Sequence, residues 1–238
     1  MSLPVSLLWI NGSQRPSSTG RTYNVINGTS QAVVGHAACA SSEDAVAAIE
    51  AADAAQPGWE ALRATAKRDI LLKAAELFRT PKYAERIMHA VPSETSAHGD
   101  FVGLEMMMIG GMFLEAAMWT MRVQGETMPS HCYDGATVLV ERRAWGTVFA
   151  VSPSNSPLLL VSRAILIPIA CGNTVVLKSS EYSPRCAGIV VEALHEVSHM
   201  LSLFACSEEQ LSHRLVFRRV WSTCCMSPQR TRRRSSPR

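Results

Sequence analysis

The sequence predicts an α/β protein, and three observations carry that expectation. Between Gly146 and Glu196, strand-like and helix-like segments alternate in the order strand, helix, strand, helix, the pattern of parallel strands joined by crossover helices. The first forty residues hold short β-branched runs punctuated by Asn-Gly pairs, whereas residues 42–121 show apolar residues at helical spacing.

Each element has a local cause. Leu7–Ile10, the Asn11-Gly12 turn, Thr22–Ile26, Asn27-Gly28 and Ala32–Ala38 read as small antiparallel strands. Ser41 and Ser42 precede Glu43 and Asp44, which is helix-capping chemistry, and the alanine-rich run through Ala55 should be helical until Pro57-Gly58 closes it. From Thr65 to Phe78, Ile70, Leu71, Ala74, Leu77 and Phe78 recur at helical spacing with Lys67, Arg68, Lys73 and Glu76 between them, predicting an amphipathic surface helix. Pro81 opens the next helix. Phe101–Met121 holds six methionines in a helix-length stretch interrupted only by Gly110-Gly111, and is expected to be a buried helix rather than a methionine-rich groove. Strands are expected at Ala136–Arg143, with an Asp134-Gly135 turn, and at Gly146–Val151; a helix follows at Pro157–Ile169, a buried strand at Thr174–Lys178 and a helix at Pro184–Glu196.

Composition narrows the function classes. The chain has 238 residues, 47% hydrophobic and 18% charged, with a net charge of +3, which is globular rather than disordered. The charge is uneven: residues 199–238 carry +6 and the remainder −3, which excludes a wholly basic, nucleic-acid-gripping body. The apolar stretch Leu158–Leu177 is broken by Arg163, Pro168, Gly172 and Asn173, and Ser6–Ile10 is too short for a signal-peptide core. No membrane association is expected, and a cytoplasmic location is. Seven cysteines (39, 132, 171, 186, 206, 224 and 225) show no disulfide or zinc spacing, so reduced thiols are expected and no metal.

Ligands of open parallel sheets sit beyond the carboxyl ends of the strands. Val151-Ser152-Pro153-Ser154-Asn155 follows the first such strand, and Lys178-Ser179-Ser180-Glu181 follows the second. A cation and a carboxylate three residues apart can each bond one ribose hydroxyl, and the carboxylate repels a 2′-phosphate, favouring NAD over NADP. A solvated Lys/Glu pair satisfies the same spacing, and no glycine-rich phosphate loop is present.

Gly146-Thr147-Val148-Phe149-Ala150-Val151-Ser152-Pro153-Ser154-Asn155-Ser156-Pro157 and then Cys171-Gly172-Asn173-Thr174-Val175-Val176-Leu177-Lys178-Ser179-Ser180-Glu181 resemble the NAD(P)-dependent aldehyde dehydrogenase superfamily. The resemblance also takes in Ile10-Asn11-Gly12, Ser42–Trp59, Arg68–Phe78 and Gly125-Glu126-Thr127-Met128-Pro129, about 190 residues in order. It is similar above all to the salicylaldehyde and vanillin dehydrogenase group. The resemblance implies an incomplete aldehyde dehydrogenase-like fold: residues 1–124 as the N-terminal part of the nucleotide-binding domain, 125–145 as an antiparallel oligomerisation hairpin, 146–197 as a partial Rossmann-type NAD-binding unit with two parallel strands, and 198–238 as an unrelated basic tail. It implies that Asn155 is the side-chain donor of an oxyanion hole, that Lys178 and Glu181 hold the adenosine ribose, and that Val151, Ser152, Pro153 and Ser154 line the cofactor cleft. Ser154 stands where the family usually has tryptophan.

The family places its nucleophilic cysteine and its glutamate base after the matching region. The resemblance ends at about Val197, and none of Cys206, Cys224 or Cys225 lies in the nucleophile's context. The expectation is therefore a truncated relative of an enzyme that oxidises an aromatic aldehyde to a carboxylic acid with NAD, inactive alone. The alternative is a non-catalytic partner that associates with full-length relatives through residues 125–145, forming homo- or hetero-oligomers.

Two further motifs point elsewhere. His195-Glu196-Val197-Ser198-His199 matches a zinc-peptidase pattern, with two histidines one turn apart and a glutamate as general base, but no third histidine follows at the required distance. The arginines between residues 230 and 238 could contact RNA, yet no aromatic platform accompanies them, and no nucleic-acid partner is expected.

Overall fold

The structure is a computed structural model and describes residues 3–198 and 203–206. Its N-terminal part is built from short strands: β1 (Val5–Ser6), β2 (Leu8–Ile10), β3 (Ser13–Arg15), β4 (Thr22–Ile26) and β5 (Val33–Ala38). Asn11 and Gly12, at φ of 51° and 74°, form the left-handed corner that folds β3 back on β2, which is why an Asn-Gly pair stands there. β5 is the middle of a second small sheet, antiparallel to β4 and parallel to β1.

Four helices follow. Helix α1 (Ser42–Ala61) starts at a capping box in which Ser41 Oγ accepts from Asp44 N while the Asp44 carboxylate accepts from Ser41 N. The same carboxylate accepts from Ser17 Oγ and from Ser18 N, tying the β3–β4 connection to the helix. Burial pushes this carboxyl up, but those hydrogen bonds outweigh it, and its pKa lies below the ordinary aspartate value.

The helix does not end at Pro57-Gly58 as the sequence suggested. It continues through both because Trp59 is fully buried and its Nε1–H donates to Ile169 O at 2.9 Å, while Pro57 lies exposed, where water can reach the carbonyl that its ring leaves unpaired. Helix α2 (Ala64–Leu77) follows the amphipathic expectation except at Lys67. That side chain is buried, not solvated, and its ammonium donates to Glu60 O at 3.0 Å in the last turn of α1. Burial lowers its pKa, opposed by the Glu60 charge.

Helix α3 (Pro81–Thr95) opens on its proline. Helix α4 (Asp100–Thr120) runs unbroken through Gly110-Gly111. Val102, Glu105, Ile109, Phe113, Ala116 and Ala117 form its buried face. The methionines were expected inside; instead Met107 and Met118 are 72% and 60% exposed, Met108 and Met121 are exposed too, and only Met106 and Met112 pack against the core. By length and composition alone this helix, rather than the 158–177 stretch, is the one apolar enough to cross a membrane among the described residues. One such helix is weak evidence of a span, because the core helices of soluble proteins pass the same test.

After α4 comes a two-stranded ribbon, β6 (Glu126–Pro129) antiparallel to β7 (Thr137–Val140), with every residue of both strands exposed. Then the parallel unit begins: β8 (Thr147–Val151), α5 (Pro157–Ala170), β9 (Thr174–Lys178), α6 (Pro184–Val197) and β10 (Leu203–Cys206). The three strands pair in parallel in the order β10-β9-β8. A two-strand sheet was expected; β10 lies in the stretch that the sequence analysis set apart as tail. The core forms where α1 to α4 meet α5, α6 and β9, with Trp59, Tyr83, Ile109, Phe113, Ile165 and Ile169 fully buried.

Replacing Asp44 by Asn should lower stability at neutral pH by about 1–2 kcal/mol, the usual worth of a helix cap. Because the folded-state carboxyl is depressed, its contribution is present above the unfolded carboxylate range and lost as pH falls through the lowered value. Urea midpoints at pH 7 and pH 3 should therefore converge for Asp44→Asn more than for the parent.

Candidate active site

The carboxyl ends of β8 and β9 lie side by side because Val151 pairs with Lys178, and Ser152 N–H donates to Lys178 O at 3.1 Å. Ser152 is buried under this junction, Val151 and Pro153 are exposed beside it, and Ser154 is half-buried. Asn155 is exposed, and no hydrogen bond of its carboxamide is found among the described residues. Lys178 Nζ meets Glu181 Oε2 at 3.4 Å, with the lysine stem largely covered and the carboxylate half open to solvent.

A cavity of about 520 Å3 opens at this end of the sheet. Its lining includes Ser154, Asn155, Phe101, Tyr182, Gly28 and the buried Glu94. The structure therefore separates the predicted residues into two neighbouring groups. Ser154 and Asn155 face the cavity, whereas Lys178 and Glu181 form a charged pair at the adjoining strand end, next to Tyr182.

The part of the lining that Gly28 supplies depends on the β4–β5 corner. Asn27 Nδ2 donates to Pro92 O and Ser93 O, and its Oδ1 accepts from Thr29 N, Ser30 N and Ser96 Oγ, which fastens the end of α3 to the turn carrying Gly28.

Two buried glutamates tie the starts of α5 and α6 to other helices, and one of them, Glu94, itself lines the cavity. Glu94, 4% exposed, accepts from Arg185 N and Cys186 N at the start of α6, both at 3.0 Å. Burial raises its pKa despite those bonds and the Arg185 guanidinium 3.8 Å away. Glu105, 2% exposed, accepts from Leu158 N, Leu159 N and Ser156 Oγ at the start of α5. Sequence reasoning missed both. For Glu105 a signal existed, a carboxylate at helical spacing from Val102, Ile109 and Phe113 on the apolar face of a helix with few charges; Glu94 gave none.

No described cysteine lies at the cavity. Cys132 is exposed near the tip of the β6–β7 ribbon, Cys39 and Cys171 are half-buried, and Cys186 is buried in α6. Burial pushes the thiols of Cys171 and Cys186 up, the opposite of an activated nucleophile. Cys206, Cys224 and Cys225 carry no described side chain.

The zinc-peptidase motif has other employment. Glu196 Oε2 accepts from Lys82 Nζ and Tyr83 Oη, both at 2.7 Å, clasping α6 to α3. His195 is buried and stacks on Trp9, the rings 5.0 Å apart and within 7° of parallel. His199 lies outside the described residues, among which no three His, Cys, Asp or Glu side chains are grouped to hold a metal.

With the strand ends and the amide in place, the comparison with known proteins is specific. The profile of the Aldehyde dehydrogenase family matches residues 15–206. The chain belongs to the aldehyde dehydrogenase family. It is 39% identical over 191 residues to a vanillin dehydrogenase of Pseudomonas sp. (strain HR199 / DSM 7063), covering 79% of this chain and 38% of that protein. It is 32% identical over 191 residues to a salicylaldehyde dehydrogenase of Pseudomonas sp. (strain C18), with the same shares covered. Among solved structures, a salicylaldehyde dehydrogenase from Pseudomonas putida G7 complexed with salicylaldehyde superposes with a TM-score of 0.80 at 27% identity, over 87% of this chain and 42% of that one. A NAD-dependent benzaldehyde dehydrogenase from Corynebacterium glutamicum gives 0.78 at 30% identity, over 85% and 43%. The chain spans about two fifths of the length of the curated relatives it matches. The family match runs through β10 to residue 206, nine residues past the Val197 limit drawn from the sequence.

If the described cysteines are structural, iodoacetamide at pH 7.5 should alkylate Cys132 first and Cys186 only on unfolding. Peptide mapping that found Cys171 reacting faster than a free thiol would overturn this assignment.

Proposed function

We propose that this chain supplies the cofactor- and carbonyl-binding part of a site that oxidises an aromatic aldehyde with NAD. The observation that carries the reading is the cavity at the carboxyl ends of β8 and β9, whose lining includes Asn155, with an amide that makes no hydrogen bond among the described residues. Asn155 Nδ2–H donates to the aldehyde oxygen and holds it as negative charge develops there. Phe101 and Tyr182 offer ring-sized apolar walls, and Ser154 keeps the space between them and Asn155 open. The relatives named for vanillin, salicylaldehyde and benzaldehyde support an aromatic substrate.

The Lys178–Glu181 pair fits a vicinal diol: the ammonium donates to one hydroxyl and the carboxylate accepts from the other, and its charge disfavours a 2′-phosphate. When bound, the nicotinamide group supplies the acceptor for the aldehyde's hydride. Val151, Ser152 and Pro153 give the cleft its floor, with Ser152 buried and bonded to β9 so that the floor is rigid. No described cysteine side chain lines the cavity, which supports a reading in which the described residues bind without turning over.

Calorimetric titration of the purified chain should show NAD binding more tightly than NADP. Lys178→Ala should weaken NAD about tenfold, the worth of one charge-assisted hydrogen bond, and Glu181→Gln should narrow the preference over NADP. Absence of NAD binding, or equal affinity for NADP, would refute the cofactor reading. No NADH should form with benzaldehyde; a rate that survives removal of host dehydrogenases would refute the inactive state.

A second reading is a non-catalytic partner of longer family members. It is favoured by the β6–β7 ribbon, whose strands are wholly exposed and present Met128, Val138, Leu139 and Val140 outward. Co-purification with a longer dehydrogenase, lost when residues 126–140 are deleted, would select it.

A further inference from the structure

The carboxamide of Asn155 has no partner of its own among the described residues, so what the surrounding structure can hold in place is the backbone that carries it. That backbone is a short span fastened at both ends. At the β8 end, Ser152 N–H is bonded to Lys178 O at 3.1 Å. At the α5 end, everything converges on Glu105.

Ser156 is the residue before the first turn of α5, where a serine hydroxyl ordinarily accepts from the helix's own N–H groups. Here it makes no such bond. It donates outward to Glu105 Oε1, while the free N–H groups of the first turn, Leu158 and Leu159, donate to Glu105 Oε2 at 2.9 and 3.3 Å. Pro157 between them has no N–H to satisfy. One carboxylate on α4 thus takes over the helix cap with one oxygen and holds the residue beside Asn155 with the other. A cap alone would need only the first oxygen.

The geometry points to Glu105 as a positioning residue: acting through the Ser156 hydroxyl, it holds the Asn155 backbone, and so the root of the amide, beside the cavity. These bonds are in place before any ligand arrives, so the backbone under the amide does not have to be ordered at the moment of binding, and a donor on a pre-organised support contributes most to stabilising developing charge. The inference rests on the reading of Asn155 as the donor to the carbonyl oxygen.

The test separates the two oxygens' duties. In the full 238-residue chain, 15N relaxation should give Asn155 a backbone order parameter near 0.85, the value of rigid structure, falling below about 0.6 in Ser156→Ala. Because Glu105 still caps α5 in that variant, the Leu158 and Leu159 amides should keep their hydrogen-exchange protection and Tm should not move. Ser156→Thr, which retains the hydroxyl, should restore order at Asn155, and Glu105→Gln should lose both the order and part of the protection. A rigid Asn155 in Ser156→Ala, or a mobile Asn155 in the parent, overturns the proposal. The carbonyl stretch of added benzaldehyde provides a separate readout, red-shifted in the parent and less so in Ser156→Ala at equal affinity. An equal red shift in both also overturns the proposal, whereas loosening of Asn155 without any benzaldehyde binding leaves the positioning role standing and rejects the reading of the site.

Discussion

The first turns of α5 and α6 present backbone N–H groups at the side of the sheet where the cavity opens, and each turn is closed by a carboxylate that belongs to another helix. Glu105 reaches across from α4 and Glu94 from α3. Without them, buried donors at both helix starts would stand unmatched, a cost of about 1–3 kcal/mol for each group left so. With them, the helices that cover the parallel strands are joined to α3 and α4, which contribute Glu94 and Phe101 to the cavity lining. The pair also occupies the positions where helix N-termini commonly take phosphate.

Reading the sequence succeeded where structure is local. The Ser41–Asp44 cap, the Asn11-Gly12 corner and the alternation from β8 through α6 all follow from periodicity and turn chemistry within a dozen residues. It failed where a distant partner decides. Pro57 would end an isolated helix, but Trp59 is held by Ile169, 110 positions away. Lys67 sits among polar neighbours in the sequence, yet its ammonium finds the end of α1 and its stem lies inside. The methionines of α4 suggested burial by composition, whereas Glu105, Ile109 and Phe113 fix which face turns inward and leave Met107 and Met118 outside.

The site was legible to the same degree. Asn155, Lys178 and Glu181 could be placed at strand ends from the sequence, and their roles came with the family resemblance. What could not be read was the separation of the amide from the charged pair, or the dependence of the amide on a carboxylate 50 positions earlier in the chain. Spacing along a sequence reports which residues share an element, not which element lends a side chain to another.

The ribbon of β6 and β7 has a different standing from everything else in the structure. Its strands bury nothing, Leu139 is 73% exposed, and the close approach of Gly125 to the Val140 carbonyl marks where it leaves the body. Two strands without a covered face are marginal by themselves. The ribbon therefore constitutes its own unit of local opening, able to exchange its amide hydrogens and expose its backbone to proteases without disturbing the core. A nick between residues 130 and 136 would leave two pieces held together by the packing of α1 to α4 against α5, α6 and β9.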